Sequence, residues 1–430
     1  MSTTVPSQGA TLRLSLLFGT LYFVQGFGEP TEGLIAQPTR SILKGWGYSV
    51  EQIAGFMALL ALPWSLKPLF GLVSDFIPLA GTHRRNYLLL TTLLTTFGLF
   101  GVWALDLPRG AATLLFLLLF LPTFGVAFSD VVADAHMVER GKPLGITGRL
   151  QSVQWFSIYG AGVIAGLLGG WLTDSKREPL GFLLCSGLTL LSFAACLGFV
   201  REEPRPRPGA RGIVPALLAL YRAARSPVVL GVGGFLFLLN FNPFSAAILN
   251  HHVTEVLKLS ELDYGTSISC FSGGSMAACV AYAVYCRALR LRLLVHLAIF
   301  MGILSTLLYW EVSGRLSLLA VSTVVGFCYM TAGLVSLDLA ARACDPETAG
   351  TVFALLMALC NTSVSLAGLV GGKLHPMFEA RWGAQGAFQA LVLTGASCTA
   401  ACWLAMRALP GLDEKLPGPE AEPLAGKEVA

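Results

Sequence analysis

Polar and apolar positions in this chain are sorted into long blocks. Predominantly apolar runs lie near 12–38, 50–73, 87–105, 111–137, 148–172, 180–199, 228–253, 265–286, 292–310, 315–340, 349–373 and 385–407. Each run is close to the roughly 20 residues that an α-helix needs to cross bilayer hydrocarbon. The pattern predicts an all-α polytopic membrane protein with about twelve transmembrane helices. Connections between runs are short with one exception. From Arg201 the chain reads REEPRPRPGARG and continues through a short helix-like stretch to Arg225. This polar, Pro-rich linker divides the runs six and six.

The division predicts an N-terminal stretch at 1–11, a six-helix half at 12–200, a linker at 201–226 and a second half at 227–408. A polar tail at 409–430 is expected to be disordered. An internal repeat supports the two halves. AGLLGG (Ala165–Gly170) returns 202 positions later as AGLVGG (Ala367–Gly372), and the same offset relates Gly148 to Gly350. These segments belong to the fifth and eleventh runs. Parallel repeats about an axis along the membrane normal predict two pseudo-symmetric six-helix bundles, the major facilitator fold, with substrate between them near the midplane. Small residues four apart, at Gly162, Gly166 and Gly170 and at Gly368 and Gly372, suit close helix contact.

Composition excludes the soluble alternatives. Of the 430 residues 54% are apolar and 13% charged, with a mean hydropathy of +0.68. A soluble domain carries about 25% charged residues. The net charge of +4 is too small, and its bases too dispersed, to argue for nucleic acid. The ten cysteines fall in or beside apolar runs without a CxxC pair, so they read as small hydrophobes and not as a disulfide or metal framework. The first apolar run has no small-residue cleavage site after it and is expected to be retained. Placing the N-terminus inside puts about 20 of the 29 basic residues on the inner side. Both termini are therefore expected to be cytoplasmic, in a plasma (inner) membrane protein expected to be a monomer.

Charge within a span is costly and marks function by default. Glu29 and Glu32 flank Pro30 and Thr31 in the first run, where proline interrupts the helical ladder. SDVVADAHMVER (Ser129–Arg140) places Asp130 and Asp134 four apart on one helix face. Two carboxylates so close call for a cation, and the candidates are Lys67 and Arg149. Counting along the helices, these four are expected to meet in the cytoplasmic third. Their ion pairs would form in one state and break in another, with one Asp able to take a proton. GLVSDFIPLAGTHRR (Gly71–Arg85) forms a loop signature. Here Gly71 is expected to permit a close turn, Asp75 to face a helix N-terminus across the halves, and Arg84 and Arg85 to anchor inside. CRALRLR (Cys286–Arg292) keeps the bases in the second half without the Gly and Asp.

YFVQG (Tyr22–Gly26), LPWSLKPLFGLVSD (Leu62–Asp75), SDVVADAHMVER, GRLQSVQW (Gly148–Trp155), LAARACDPE (Leu339–Glu347) and GTVFALLMALCN (Gly350–Asn361) resemble the folate–biopterin transporter family of the major facilitator superfamily. The resemblance covers about residues 20 to 375. It implies a secondary transporter, not an enzyme, that moves folates or pterins with protons by alternating access through twelve spans. It also carries candidate coupling or gating roles to Lys67, Asp130, Asp134 and Arg149, beside Glu29. Glu29–Pro30 and the Asn240–Pro243 segment depart from the expected family pattern. Pterins are flat heteroaromatics with donors and acceptors at their edges, so Gln25, Gln154, Trp155, Tyr159, Asn240, Asn242 and Asn361 are the cavity candidates. No cofactor or metal is called for, and the partners are a small-molecule substrate, protons and the lipid bilayer. The alternatives are transport of an amino-sugar peptide and a transporter-fold receptor or scaffold without net transport.

Overall fold

The computed structural model describes residues 8–105, 107–144, 146–200, 202, 213–285, 289–344 and 349–409. The expected tail, most of the linker, Arg287 and the Asp345–Glu347 end of one motif lie outside the described residues. Those described are helical throughout, apart from short turns and a single isolated bridge between Leu79 and Thr82. In chain order the helices are α1 (Gln8–Gly28), α2 (Ala36–Gly45), α3 (Val50–Leu60), α4 (Lys67–Phe76), α5 (Arg85–Ala104), α6 (Ala112–Gly141), α7 (Thr147–Asp174) and α8 (Glu178–Phe199). The linker helix α9 (Ile213–Ala224) leads to α10 (Pro227–Asn240), α11 (Ala246–His251), α12 (Glu261–Tyr285), α13 (Leu291–Leu307), α14 (Arg315–Arg342), α15 (Ala349–Ala400) and α16 (Cys402–Ala405).

Several predicted spans are broken, for local reasons. Pro30 separates α1 from α2, because proline offers no N–H to the ladder and biases the residue before it away from helix. A 3-10 turn at Leu62–Leu66, bracketed by Pro63 and Pro68, joins α3 to α4. Pro243 ends the ladder after α10, and a π-turn at His252–Val256 follows α11. The long α15 is interrupted at Gly383, whose φ of 72° suits glycine. In consequence eight helices, not twelve, are long and apolar enough to cross a membrane among the described residues. One of the eight, Val352–Ala405, contains the Gly383 break. α10 is apolar but only 14 residues long, and α12 is diluted by Gly and Ser.

The buried apolar side chains form four clusters. Among the described residues, two draw on Leu17 to Val200 together with Ala247, and two on Val229 to Leu409, with Val50 packed against one of these. α5 buries a polar stripe without penalty. Thr91, Thr92, Thr95 and Thr96 each donate a hydroxyl to the carbonyl four residues back, at 2.8 or 2.9 Å. Every described cysteine is unbridged. Large apolar side chains such as Phe97, Leu117, Leu316 and Leu404 are exposed on the perimeter, as a lipid-facing surface requires.

The repeated glycine segments make the close crossings between these sets of helices. In α7, Gly166 and Gly170 lie against Gly265 of α12, so a Cβ on any of the three would strike backbone. In α15, Gly371 lies against Pro243, while Gly372 and Gly368 face Ala54 and Ala58 of α3. A second tight seam joins α12 to α14 through Gly274 and Gly326. Gly265→Leu should therefore lower the detergent melting transition by the equivalent of about 2 kcal/mol or more. Gly187→Leu, inside α8 at a site with nothing within 4 Å, should not lower it.

Candidate functional site

Helices α1, α4, α6 and α7 enclose a buried charge cluster. The Lys67 ammonium, swung inward by the 3-10 turn, meets Asp130 Oδ2 of α6 at 2.7 Å. It also lies over the Trp64 ring, 4.7 Å from the centroid. One helical turn on, Asp134 Oδ1 accepts from the Tyr22 hydroxyl and from Gln154 Nε2 at 3.1 Å. With its amide turned toward the carboxylate, Gln25 donates to Asp130 Oδ1 at 3.2 Å. The cluster thus holds two carboxylates and one ammonium. Arg149, expected here, is not brought in; it is exposed at the first turn of α7 and its guanidinium joins no described ion pair. Tyr22 and Trp64 were legible only as parts of motifs, since neither is charged.

Glu29 is not a free coupling carboxylate. It accepts from the backbone N–H of Thr31 (2.8 Å) and Glu32 (2.6 Å), from the Thr31 hydroxyl and from Trp64 Nε1 (3.3 Å). The two backbone N–H groups are donors that the chain break at Pro30 leaves without helical partners, so Glu29 acts as a cap. Asn242 does the same after α10. It accepts from the Phe244 N–H at 3.0 Å and donates to Thr306 Oγ1 at 2.7 Å. Asn240 folds back onto the Leu236 carbonyl. Both asparagines were expected to line a cavity, and both are occupied in holding interrupted backbone. Asn361 of α15 reaches the Trp64 carbonyl at 3.0 Å, tying α15 to the turn that carries Lys67. Gln25 and Gln154 serve the carboxylates. Trp155 and Tyr159 stack along α7, with centroids 6.0 Å apart, and the Tyr159 hydroxyl points at Met330 Sδ of α14 at 2.7 Å.

The end of the bundle bearing the 46–49 turn is closed by a network that sequence reasoning missed. Lys44 of α2 pairs with Glu261 of α12 at 2.7 Å and with Glu255 at 3.1 Å. Gln37 donates to the Glu261 carboxylate and carbonyl, and Asn250 adds a bond to the same carboxylate. Buried Arg40 turns toward the Tyr264 hydroxyl and the Thr31 carbonyl, both at 3.4 Å. A cavity of about 340 Å³ lies beside this closure, with Arg40, Lys44, Asn250 and Glu255 in its wall. Helix-end charges separated by more than 200 residues give no sequence signal of pairing.

At the opposite end the loop signature folds differently from expectation. Gly71 makes no turn; it lies inside α4, and the reversal falls at Ala80 and Gly81, with φ of 47° and 87°. Asp75 does not face a distant helix end but pairs with Arg84 at 2.6 Å. Arg84 also reaches Glu139 (2.8 Å) and Ser74 (3.0 Å), while Arg85 is directed to the Leu197 carbonyl. Glu202, from the linker, accepts the backbone N–H groups of His83, Arg84 and Arg85 at 2.8 to 3.0 Å. Partial burial opposes its charge, but these three donors prevail and hold its carboxyl below the ordinary glutamate range.

Residues 33–411 match the BT1 family. The "Folate-biopterin transporter" of Synechocystis sp. is 27% identical over 381 residues, spanning 83% of this chain and 73% of its own. The "Probable folate-biopterin transporter 4" of Arabidopsis thaliana is 25% identical, spanning 82% of this chain and 86% of its own. Among solved structures, a variant of the nucleoside transporter NupG superposes with a TM-score of 0.70 at 14% identity, over 92% of this chain and 99% of that one. A D-xylose–proton symporter gives 0.69 at 13%, over 94% and 100%. These likenesses establish a polytopic transporter fold.

Two outcomes follow from the geometry. Lys67→Met strands a buried carboxylate and should cost about 3–5 kcal/mol, part of which Asp130→Asn restores in the double variant, measured as melting in detergent. Because Glu202 has a folded pKa below its unfolded value, its contribution is present at neutral pH and fades as pH falls through the folded pKa. Glu202→Gln should thus lose roughly 0.5–1 kcal/mol at pH 7 and show a flatter melting profile toward acid.

Proposed function

The chain belongs to the BT1 family and is a secondary transporter of a small organic solute; from that premise we propose that its cargo is a folate or pterin, moved by alternating access with protons. The observation that carries the cargo is the match, along most of both chains, to relatives named as folate-biopterin transporters. Neither an amino-sugar peptide cargo nor a transport-free scaffold gains an observation from the geometry.

The architecture is read as twelve crossings in two pseudo-symmetric six-helix bundles. α1 with α2, α3 with α4, and α10 with α11 each make one interrupted crossing, and α15 makes two on either side of Gly383. The halves are 12–200 and 227–408, with the N-terminus, linker and tail cytoplasmic in a plasma (inner) membrane, and the protein working as a monomer. In this orientation the 46–49 end, closed by the Lys44–Glu261 network, faces outward. The two glycine crossings, α7 with α12 and α15 with α3, are the surfaces on which the halves rock.

Coupling is assigned to the cluster in the first half. Lys67 balances Asp130, and a proton on Asp134 would neutralise what remains. Both carboxylates and Lys67 join α4 to α6 beside α1 and α7, so loading the proton alters the contacts that hold one conformation. Arg149, exposed at the start of α7, is placed to reach this cluster only in another conformation. In proteoliposomes an inward acid gradient should accelerate uptake of labelled folate or biopterin. Asp134→Asn should abolish that acceleration while leaving substrate counterflow within about threefold of wild type. Full gradient stimulation in both Asp134→Asn and Asp130→Asn would sink the coupling assignment, and no uptake of any pterin or folate would sink the cargo.

A further inference from the structure

The break between α1 and α2 carries two carboxylates, and the fold uses only one of them. Glu29 is consumed as the cap of the interrupted backbone. Glu32 accepts no hydrogen bond and joins no ion pair within contact distance among the described residues, and its one favourable charge neighbour is the buried Arg40 guanidinium, within electrostatic reach. The Glu32 side chain is nevertheless exposed within a stretch where every following residue from Gly33 to Ser41 is buried. An exposed side chain on a buried segment, between helices whose outer faces meet lipid, opens into an internal space. The residues across that space agree. Tyr159 of α7 and Tyr329 of α14 both lie within electrostatic reach of Glu32. Tyr329 is 51% exposed although it sits in the middle of its helix. Tyr159 is continued by the stacked Trp155. The internal space therefore presents one carboxylate without a hydrogen bond, and aromatic side chains from both sides of the molecule.

An ionised carboxylate has acceptors only, and its two oxygens match two parallel N–H donors. The pterin ring, which folates share, offers such an edge: N3–H beside the 2-amino group. We propose that Glu32 is the substrate-reading residue, accepting from N3–H and the 2-amino group while the flat ring packs against Tyr159 and Tyr329. The assignment rests on the pterin reading above and deepens it, since it specifies which edge of the ring is recognised. It also makes a discrimination. A 2-oxo ring (a lumazine) keeps N3–H but replaces the second donor with an acceptor, which would face carboxylate oxygen and be rejected.

The test is the binding ratio of a 6-substituted pterin to its 2-oxo counterpart on the purified full chain, by calorimetry, for wild type and Glu32→Gln. Wild type should favour the 2-amino ring by about tenfold to a hundredfold. In Glu32→Gln the side chain offers one acceptor and one donor, the complement of the 2-oxo edge, so the preference should collapse or invert. A merely structural role would weaken both ligands together and leave their ratio intact, and that outcome would overturn the proposal. Equal binding of both rings by wild type would overturn it without any variant, even should Glu32→Gln fail to fold. Wild type that binds pterins without discriminating sinks this inference alone. Wild type that binds neither ring, nor folate, sinks the pterin reading along with it.

Discussion

Hydrocarbon offers no hydrogen bonds, and most of what is distinctive in this protein follows from that. Wherever the backbone ladder is interrupted inside the membrane, a side chain must take the place of the missing partner. Glu29 does so at the Pro30 break and Asn242 at the Pro243 break. The threonines of α5 return their hydroxyls to their own helix. The same rule binds charge. Lys67, Asp130 and Asp134 persist because Trp64, Tyr22, Gln25 and Gln154 close around them, linking four helices through polar contacts that the bilayer cannot replace. Disturbing one member leaves the others unsatisfied, so the cluster stands or falls as a unit.

Contacts between the two sets of helices have another character. Where α7 crosses α12 and α15 crosses α3, glycine brings backbones close, and small side chains such as Ser269, whose hydroxyl donates to the Val163 carbonyl, fill what remains. Such seams give extensive van der Waals contact yet permit sliding. Specific closure is concentrated at one end, in Lys44, Gln37, Asn250, Glu255 and Glu261. The Lys44–Glu255 pair at the rim is half-exposed and can release and re-form at modest cost, because water replaces the lost partner, whereas Gln37, Asn250 and Glu261 are buried behind it. Smooth seams in the interior and a breakable latch at the rim are the ingredients of an element with two states.

Much of the scaffold was legible in one dimension. The apolar blocks located the uninterrupted helices α5 to α8 and α12 to α14 to within a few residues, because hydrophobic length is imposed by bilayer thickness. The runs over α1 and α10 did not show where those helices break, and α15 continues as helix beyond 373 to its break at Gly383. The glycine repeat foretold which helices make the tight crossings. The Lys67–Asp130 pair was legible from the cost of buried charge. Other expectations failed where geometry intervened. Gly71 read as a turn residue, yet Ala80 and Gly81 reverse the chain and Gly71 lies within a helix. Arg149 read as a partner on helical counting, yet the first turn of α7 points it to the exterior. Glu29 read as the functional acid of its pair. Its capping bonds, formed within three residues, spend it on the interrupted backbone instead.

The sequence by itself determined that this is a helical membrane protein with an internal repeat, where its helices run, and which charges are too costly to be incidental. These properties depend on composition and spacing along the chain, which the bilayer reads directly. The tertiary structure alone decided which polar groups are spent on holding the fold together, and with which partners. That depends on contacts such as Asn361 with Trp64 and Lys44 with Glu261, between residues more than 200 positions apart. No local pattern encodes such pairings; they exist only once the helices are packed.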